Sequence, residues 1–115
     1  MSATPASITV DLDVPANRPS RPIAVPTTTA DVQLTNRDAI LTGWSFRETT
    51  GSAGAILRIV DGKDATGQLV AAISLSSGQA QVLSLAPGGI AISVGIYIDM
   101  VSGSIEGAVW YRLGD

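Results

Sequence analysis

Apolar residues recur along this chain with a period of two, and that one feature restricts the fold more than any other. Ile8, Val10, Leu12 and Val14 alternate with Thr9, Asp11 and Asp13. Later runs repeat the habit. Ile40, Trp44 and Phe46 are expected on one face, with Leu41, Ser45 and Arg47 on the other. Leu57 and Ile59 oppose Ile56, Arg58 and Val60, and Leu69, Ala71, Ile73 and Leu75 fall together. Leu83 and Leu85 mark a short strand. Ile90, Ile92, Val94, Ile96, Ile98 and Met100 share a parity, as two strands broken near Gly95. Ile105, Val109 and Tyr111 oppose Ala108, Trp110 and Arg112. Side chains alternate across a strand, so such a pattern buries one face and wets the other. No segment carries helical apolar spacing for three turns. Turn signals separate the runs about every ten residues: TTGSAG, DGKDATG, SSGQ, APGG and VSGS. Glycine supplies positive φ there, and Asp or Ser side chains cap the local backbone. The expected fold is all-β, an antiparallel β-sandwich or jelly-roll-like domain.

One stretch breaks the pattern. DVPANRPSRPIAVPTTTADV, residues 13–32, holds Pro15, Pro19, Pro22 and Pro26 of the chain's six prolines. Each fixes φ, lacks an N–H donor and biases its preceding residue to extended geometry. A central strand is excluded, and an extended spacer of roughly 3 Å per residue is expected. The chain therefore divides into an N-terminal strand and proline-rich arm, 1–31, and a sandwich domain, 32–115. Ile8, Val10, Leu12 and Val14 supply the strand at the arm's tip. Pro15, Pro19, Pro22 and Pro26 stiffen the arm, and Arg18 and Arg21 offer polar anchors to an acidic neighbour.

Composition narrows the chemistry. A chain of 115 residues is expected to form one domain with a core. Hydrophobic residues make up 45% and charged residues only 15%, with a net charge of −3. A surface short of charge favours burial in an assembly. The seven basic residues are scattered, so binding nucleic acid by phosphate neutralisation is not expected. There is no cysteine and no histidine. Thiolate nucleophiles, Ser-His-Asp triads and Cys- or His-ligated metals are thereby excluded. The N-terminus lacks the basic and apolar regions of a signal peptide, and Gly89 to Val101 is too short and interrupted to span a bilayer, so a product made in a cytoplasm is expected.

Individual sites give little. Asp11 and Asp13 share a strand face and could suit a hard cation, but the pair reads as a solvated strand face instead. DGKDATG misses the spacing of a calcium loop and reads as a hairpin turn. Glu48 and Glu106, the only glutamates, have Thr or Gly neighbours that suggest an exposed face, so a glycosidase pair is not expected. Trp44 shares a face with core residues. Tyr97, Trp110 and Tyr111 are candidate interface aromatics, or a sugar-stacking platform. No catalytic, cofactor-binding or metal-binding residue is assigned, and the chain reads as non-enzymatic.

LTGWSFRETTGSAGAILRIVDG, followed by GQLVAAISLSSGQAQVLSL and GIAISVGIYIDMVSGSIEGAVWYR, resembles the small all-β virion proteins of tailed bacteriophages: capsid decoration (cement) proteins and minor head or tail proteins. The resemblance covers residues 38–112 and lies in alternating strands, Gly/Ser/Thr turns and scarce charge. It implies a non-enzymatic sandwich, a homo-oligomer that is often a trimer, and a virion location reached by assembly in the host cytoplasm. It also implies a lattice partner such as the major capsid protein, with no cofactor, nucleic acid or membrane. An extended terminal arm would hold the neighbours. The alternative within the resemblance is a tail or fibre component with a receptor- or carbohydrate-binding role.

Overall fold

The computed structural model describes residues 19–85 and 88–113. Among these residues nine strands form two sheets: β1 (Arg21–Thr28), β2 (Val32–Gln33), β3 (Ala39–Glu48), β4 (Ala55–Asp61), β5 (Gln68–Leu75), β6 (Ala80–Ser84), β7 (Ile90–Ile92), β8 (Ile96–Ser102) and β9 (Ile105–Leu113). The first sheet has the order β1-β9-β3-β6, and β7 also pairs with β3 beyond the end of β6. The second has the order β2-β8-β4-β5. Every pairing is antiparallel. The inner faces of the two sheets share one core. Val25, Leu41, Trp44, Phe46, Ile105 and Val109 come from the first sheet, and Leu57, Ile59, Ile73, Ile96 and Ile98 from the second. The all-β expectation is met, with two antiparallel sheets in a sandwich-like arrangement.

Bulges decide which residues reach that core. Leu41 and Gly43 pair with the adjacent residues Tyr111 and Trp110, so Thr42 is an extra residue on β3. An unpaired residue inverts the alternation beyond it. Leu41 therefore joins Trp44 and Phe46 inside, and Ile40 is only half-buried. This corrects the face expected from strict alternation. Val70 is a second extra residue, since Ile59 and Val60 pair with Ala71 and Leu69. Val70 packs against the core while Leu69 is exposed, against the expectation for Leu69.

The proline segment is also corrected in part. Residues 21–28 are not spacer but β1, paired along β9 from Arg21↔Tyr111 to Thr28↔Ile105. The domain therefore includes Arg21 and does not begin at Val32. The prolines exclude a central strand, as expected, but not an edge. Pro22 and Pro26 share a parity, so both ring nitrogens can face the side that has no neighbour. A register shift between Val25 and Thr28 accommodates the second proline. Val25 is buried while Pro22, Ala24 and Pro26 are exposed.

The break near Gly95 is where the chain leaves one sheet for the other, from β7 to β8. Asp61, at the end of β4, holds that crossing. It accepts the N–H groups of Ser93 (2.9 Å), Val94 (2.8 Å) and Gly95 (3.3 Å). Desolvation alone would raise its pKa, but the three donors outweigh it and the carboxyl lies below its ordinary value. Asp61→Asn removes one acceptor and is expected to cost about 1–2 kcal/mol, read as a lower urea midpoint at unchanged slope.

Candidate interaction surface

The outer face of the first sheet is built from residues whose partners point inward. Register places Ala24, Ala108, Ser45 and Val82 in one row across β1, β9, β3 and β6. The next row is Pro22, Trp110, Gly43 and Ser84. Apart from Trp110 these side chains are small or apolar, and none is charged. Charge on this face lies beyond these rows, at one end where Arg47 pairs with Glu106 and at the other where Arg112 donates to the Gly88 carbonyl. Glu106 also accepts from Thr27 (3.2 Å), and these donors, Arg47 first, hold its carboxyl below the ordinary value.

A shallow groove of about 350 Å³ lies at the other end, lined by Ser20, Thr42, Val82, Leu83, Ser84 and Trp110. Glycine at 43 makes room for the indole, because a Cβ there would stand 3.1 Å from Trp110 Cε3. The Thr42 bulge turns its hydroxyl to Ser20, with the two oxygens 2.8 Å apart. All five residues of β6 are exposed, with Val82 at 68% and Leu83 at 40%. Leu83 stands opposite Trp44 on the core side, at a margin no further strand covers among the described residues.

The second sheet mixes internally bonded charge with the exposed side chains of Ile56, Leu69 and Val101. Arg58 and Asp99 are cross-strand partners joined at 3.0 Å. The Tyr97 hydroxyl donates to Asp31 (2.9 Å), which also accepts from the Met100 N–H (2.8 Å). That bond to Asp31, then burial and the surrounding carboxylates, raise the Tyr97 pKa.

The three aromatics singled out in sequence are thus separated. Trp110 lines the groove, Tyr97 is engaged on the other sheet, and Tyr111 packs on the core side. Among the arm residues, Arg21, Pro22 and Pro26 lie in β1, and Pro19 borders a small pocket with Arg21, Arg112 and Leu113. Ile8, Val10, Leu12, Val14, Pro15 and Arg18 lie outside the described residues, as do Asp11 and Asp13. DGKDATG forms the connection between β4 and β5, with Asp64 accepting from the Thr66 N–H at 2.9 Å.

Glu48 overturns its expectation. It is 2% exposed, not on an open face. One carboxylate oxygen accepts the Thr50 N–H (2.8 Å) and hydroxyl (2.6 Å). The other accepts the Gly51 N–H (2.8 Å) and the Gly78 N–H (2.9 Å). It therefore ties the β3–β4 loop to the β5–β6 turn. The Thr50 hydroxyl is the main cause that lowers its pKa to about 2, with backbone donors adding to it against desolvation. Three of its four bonds come from Thr50 and Gly51, within three residues in sequence, so only the Gly78 N–H, thirty residues away, lacks a local signal. The uncharged, proline-free AQVLS of β6 was the legible sign of a bare margin. Among the described residues no three acidic groups converge on a site for a metal ion. The chain matches no protein-family model, no curated protein and no solved structure.

Proposed function

We propose that this chain is a non-enzymatic structural protein of a tailed-bacteriophage virion, a decoration protein that stabilises the capsid lattice by binding across it. One observation carries the reading: an outer sheet face with no charge over two full register rows, continuous with the exposed β6 margin. Such a face loses little hydration on docking and gains by burying Val82 and Trp110. Scarcity of charge across the whole chain and the resemblance of residues 38–112 support the same reading. The β-sandwich forms a homo-oligomer, its partner is the major capsid protein or another virion protein, and assembly takes place in the host cytoplasm. The proline-rich arm, residues 1–20, extends the contact to neighbours.

The test is cosedimentation of the purified protein with capsids of the source phage that lack it. Wild type is expected to band with the capsids, and Trp110→Ala with Val82→Lys to reduce retention at least tenfold while the fold persists. Retention unchanged by both substitutions would overturn the assignment of this face. A second reading, a tail or fibre protein that binds carbohydrate, rests on the Trp110 groove, where an indole stands beside the hydroxyls of Ser20 and Thr42. Glycan binding lost in Trp110→Ala, with no capsid binding by wild type, would favour it.

A further inference from the structure

The β6 margin has a defined direction and a defined set of open groups. The Glu48 N–H bonds the Gln79 carbonyl (2.9 Å) and the Leu85 N–H bonds the Thr42 carbonyl (2.9 Å). In an antiparallel ladder such pairs recur every second residue, so Gln81 and Leu83 turn their backbone groups toward β3. Ala80 and Val82 turn theirs off the sheet. The other margins are less receptive. β1 carries two prolines, β2 has two residues, and β5 is interrupted by the Val70 bulge.

The chain outside the described residues points to the occupant. Eighteen residues precede Pro19, and they depart from the groove itself, where Ser20 is bonded to Thr42 beside the Ser84 end of β6. They contain Ile8, Val10, Leu12 and Val14 in alternation with Thr9, Asp11 and Asp13. That is the pattern of a strand with one apolar and one wet face, and Leu83 leaves the core side of the margin open to an apolar one. Pro15 to Pro19 can span at most about 17 Å, or three strand spacings.

Direction separates two ways of docking. Chain running toward Ser20 also runs toward the Ser84 end, parallel to its own β6. Every pairing among the described residues is antiparallel. A two-fold axis perpendicular to the strands reverses the direction, so the same segment meets the β6 of a second copy antiparallel. We infer that residues 8–14 of one copy add to β6 of a second copy as an extra strand of the first sheet, reciprocally, forming a two-fold pair. The added strand satisfies the backbone groups of Ala80 and Val82 and covers Leu83. This inference concerns self-association and stands apart from virion attachment. It requires two copies, where the resemblance implies three.

The test uses the full chain. With no native cysteine, Leu12→Cys can carry a benzophenone photocrosslinker at one site. Equal amounts of unlabelled and nitrogen-15-labelled protein are mixed and irradiated, and the products are mapped by mass spectrometry. Crosslinks to residues 79–85 joining a light and a heavy copy are expected, with a sedimentation mass twice the 11.8 kDa of the chain. Val82→Pro removes only an N–H that faces off the sheet, so the far-UV spectrum should persist while the crosslink falls at least tenfold and the mass halves. Leu83→Lys, which sets a charge against the apolar face of the added strand with no backbone change, should do the same. A monomeric or trimeric wild type, crosslinks confined to single copies, or crosslinks retained in both variants would overturn the exchange. Capsid retention in a variant that no longer pairs would leave the decoration reading intact.

Discussion

Glu48→Gln is expected to lower the melting temperature by on the order of 10 °C, a large effect for one uncharged isostere. The carboxylate accepts four bonds through two oxygens, two from Thr50 and one each from Gly51 and Gly78. An amide keeps one acceptor and sets an NH2 group against N–H donors that have no other partner. Gly78 lies at φ +71°, where a left-handed turn aims its N–H at the carboxylate. Losing the acceptor loosens two turns at once, so the β5–β6 connection should exchange amide hydrogen faster than the strands beside it. The pH dependence has a fixed sign. The folded pKa is about 2 against an ordinary 4.5, so the folded state binds fewer protons between these values. The stabilisation is complete above pH 4.5 and is lost as pH falls through about 2. Asp61, Asp64 and Glu106, also lowered, act in the same sense. Thermal melts of wild type and Glu48→Gln from pH 2 to 7 should converge at the acid end. Parallel curves would show that the carboxylate is not the group responsible.

Gly107→Ala is expected to be more damaging still, by roughly 3–5 kcal/mol. Gly107 sits on β9 opposite Phe46, where a Cβ would fall 1.8 Å from the Ser45 carbonyl oxygen and 3.0 Å from Phe46 Cα. Neither obstacle is a flexible side-chain tip. The backbones of β3 and β9, the two central strands of their sheet, would have to part, and with them the longest pairing in the molecule. Val25 of β1 pairs with the same glycine, so the proline-bearing edge would be disturbed too. Equilibrium urea denaturation measures the effect. A loss below about 1 kcal/mol would mean that the sheet relaxes at this point without cost.

Both predictions rest on features that strand periodicity does not encode. Alternation gave the core-facing residues of β4, β8 and β9, although Val60 and Arg112, expected on the other side, are buried as well. It failed at Ile40 and Leu41, where the Thr42 bulge inverts parity, and at Leu69, where Val70 does so. A bulge is set by the partner strand, and the chain carries no local mark of it. Glu48 reads as exposed because its neighbours in sequence are small and polar, yet Thr50 and Gly51 among them bond its carboxylate. Its neighbours in space are the donors of two turns.

The candidate surface divides in the same way. Scarce charge, the absence of histidine and cysteine, and Trp110 opposed to Val109 are legible in the sequence and favour contact surfaces over catalytic chemistry. That Trp110 alone of the three aromatics lines the groove was not. Tyr97 and Tyr111 are drawn elsewhere by Asp31 and by the core.

Residue order alone makes the chain all-β, gives its strands one dry face, and keeps the proline segment from being a central strand. These follow from local physics: side-chain alternation, the φ that glycine permits, and the N–H that proline lacks. Only the tertiary structure decided that residues 21–28 are an edge strand, that Glu48 is an internal clasp, and that β6 is the open margin. Each depends on which strands become neighbours, and strand order is chosen by the collective burial of two apolar faces, not by any segment alone.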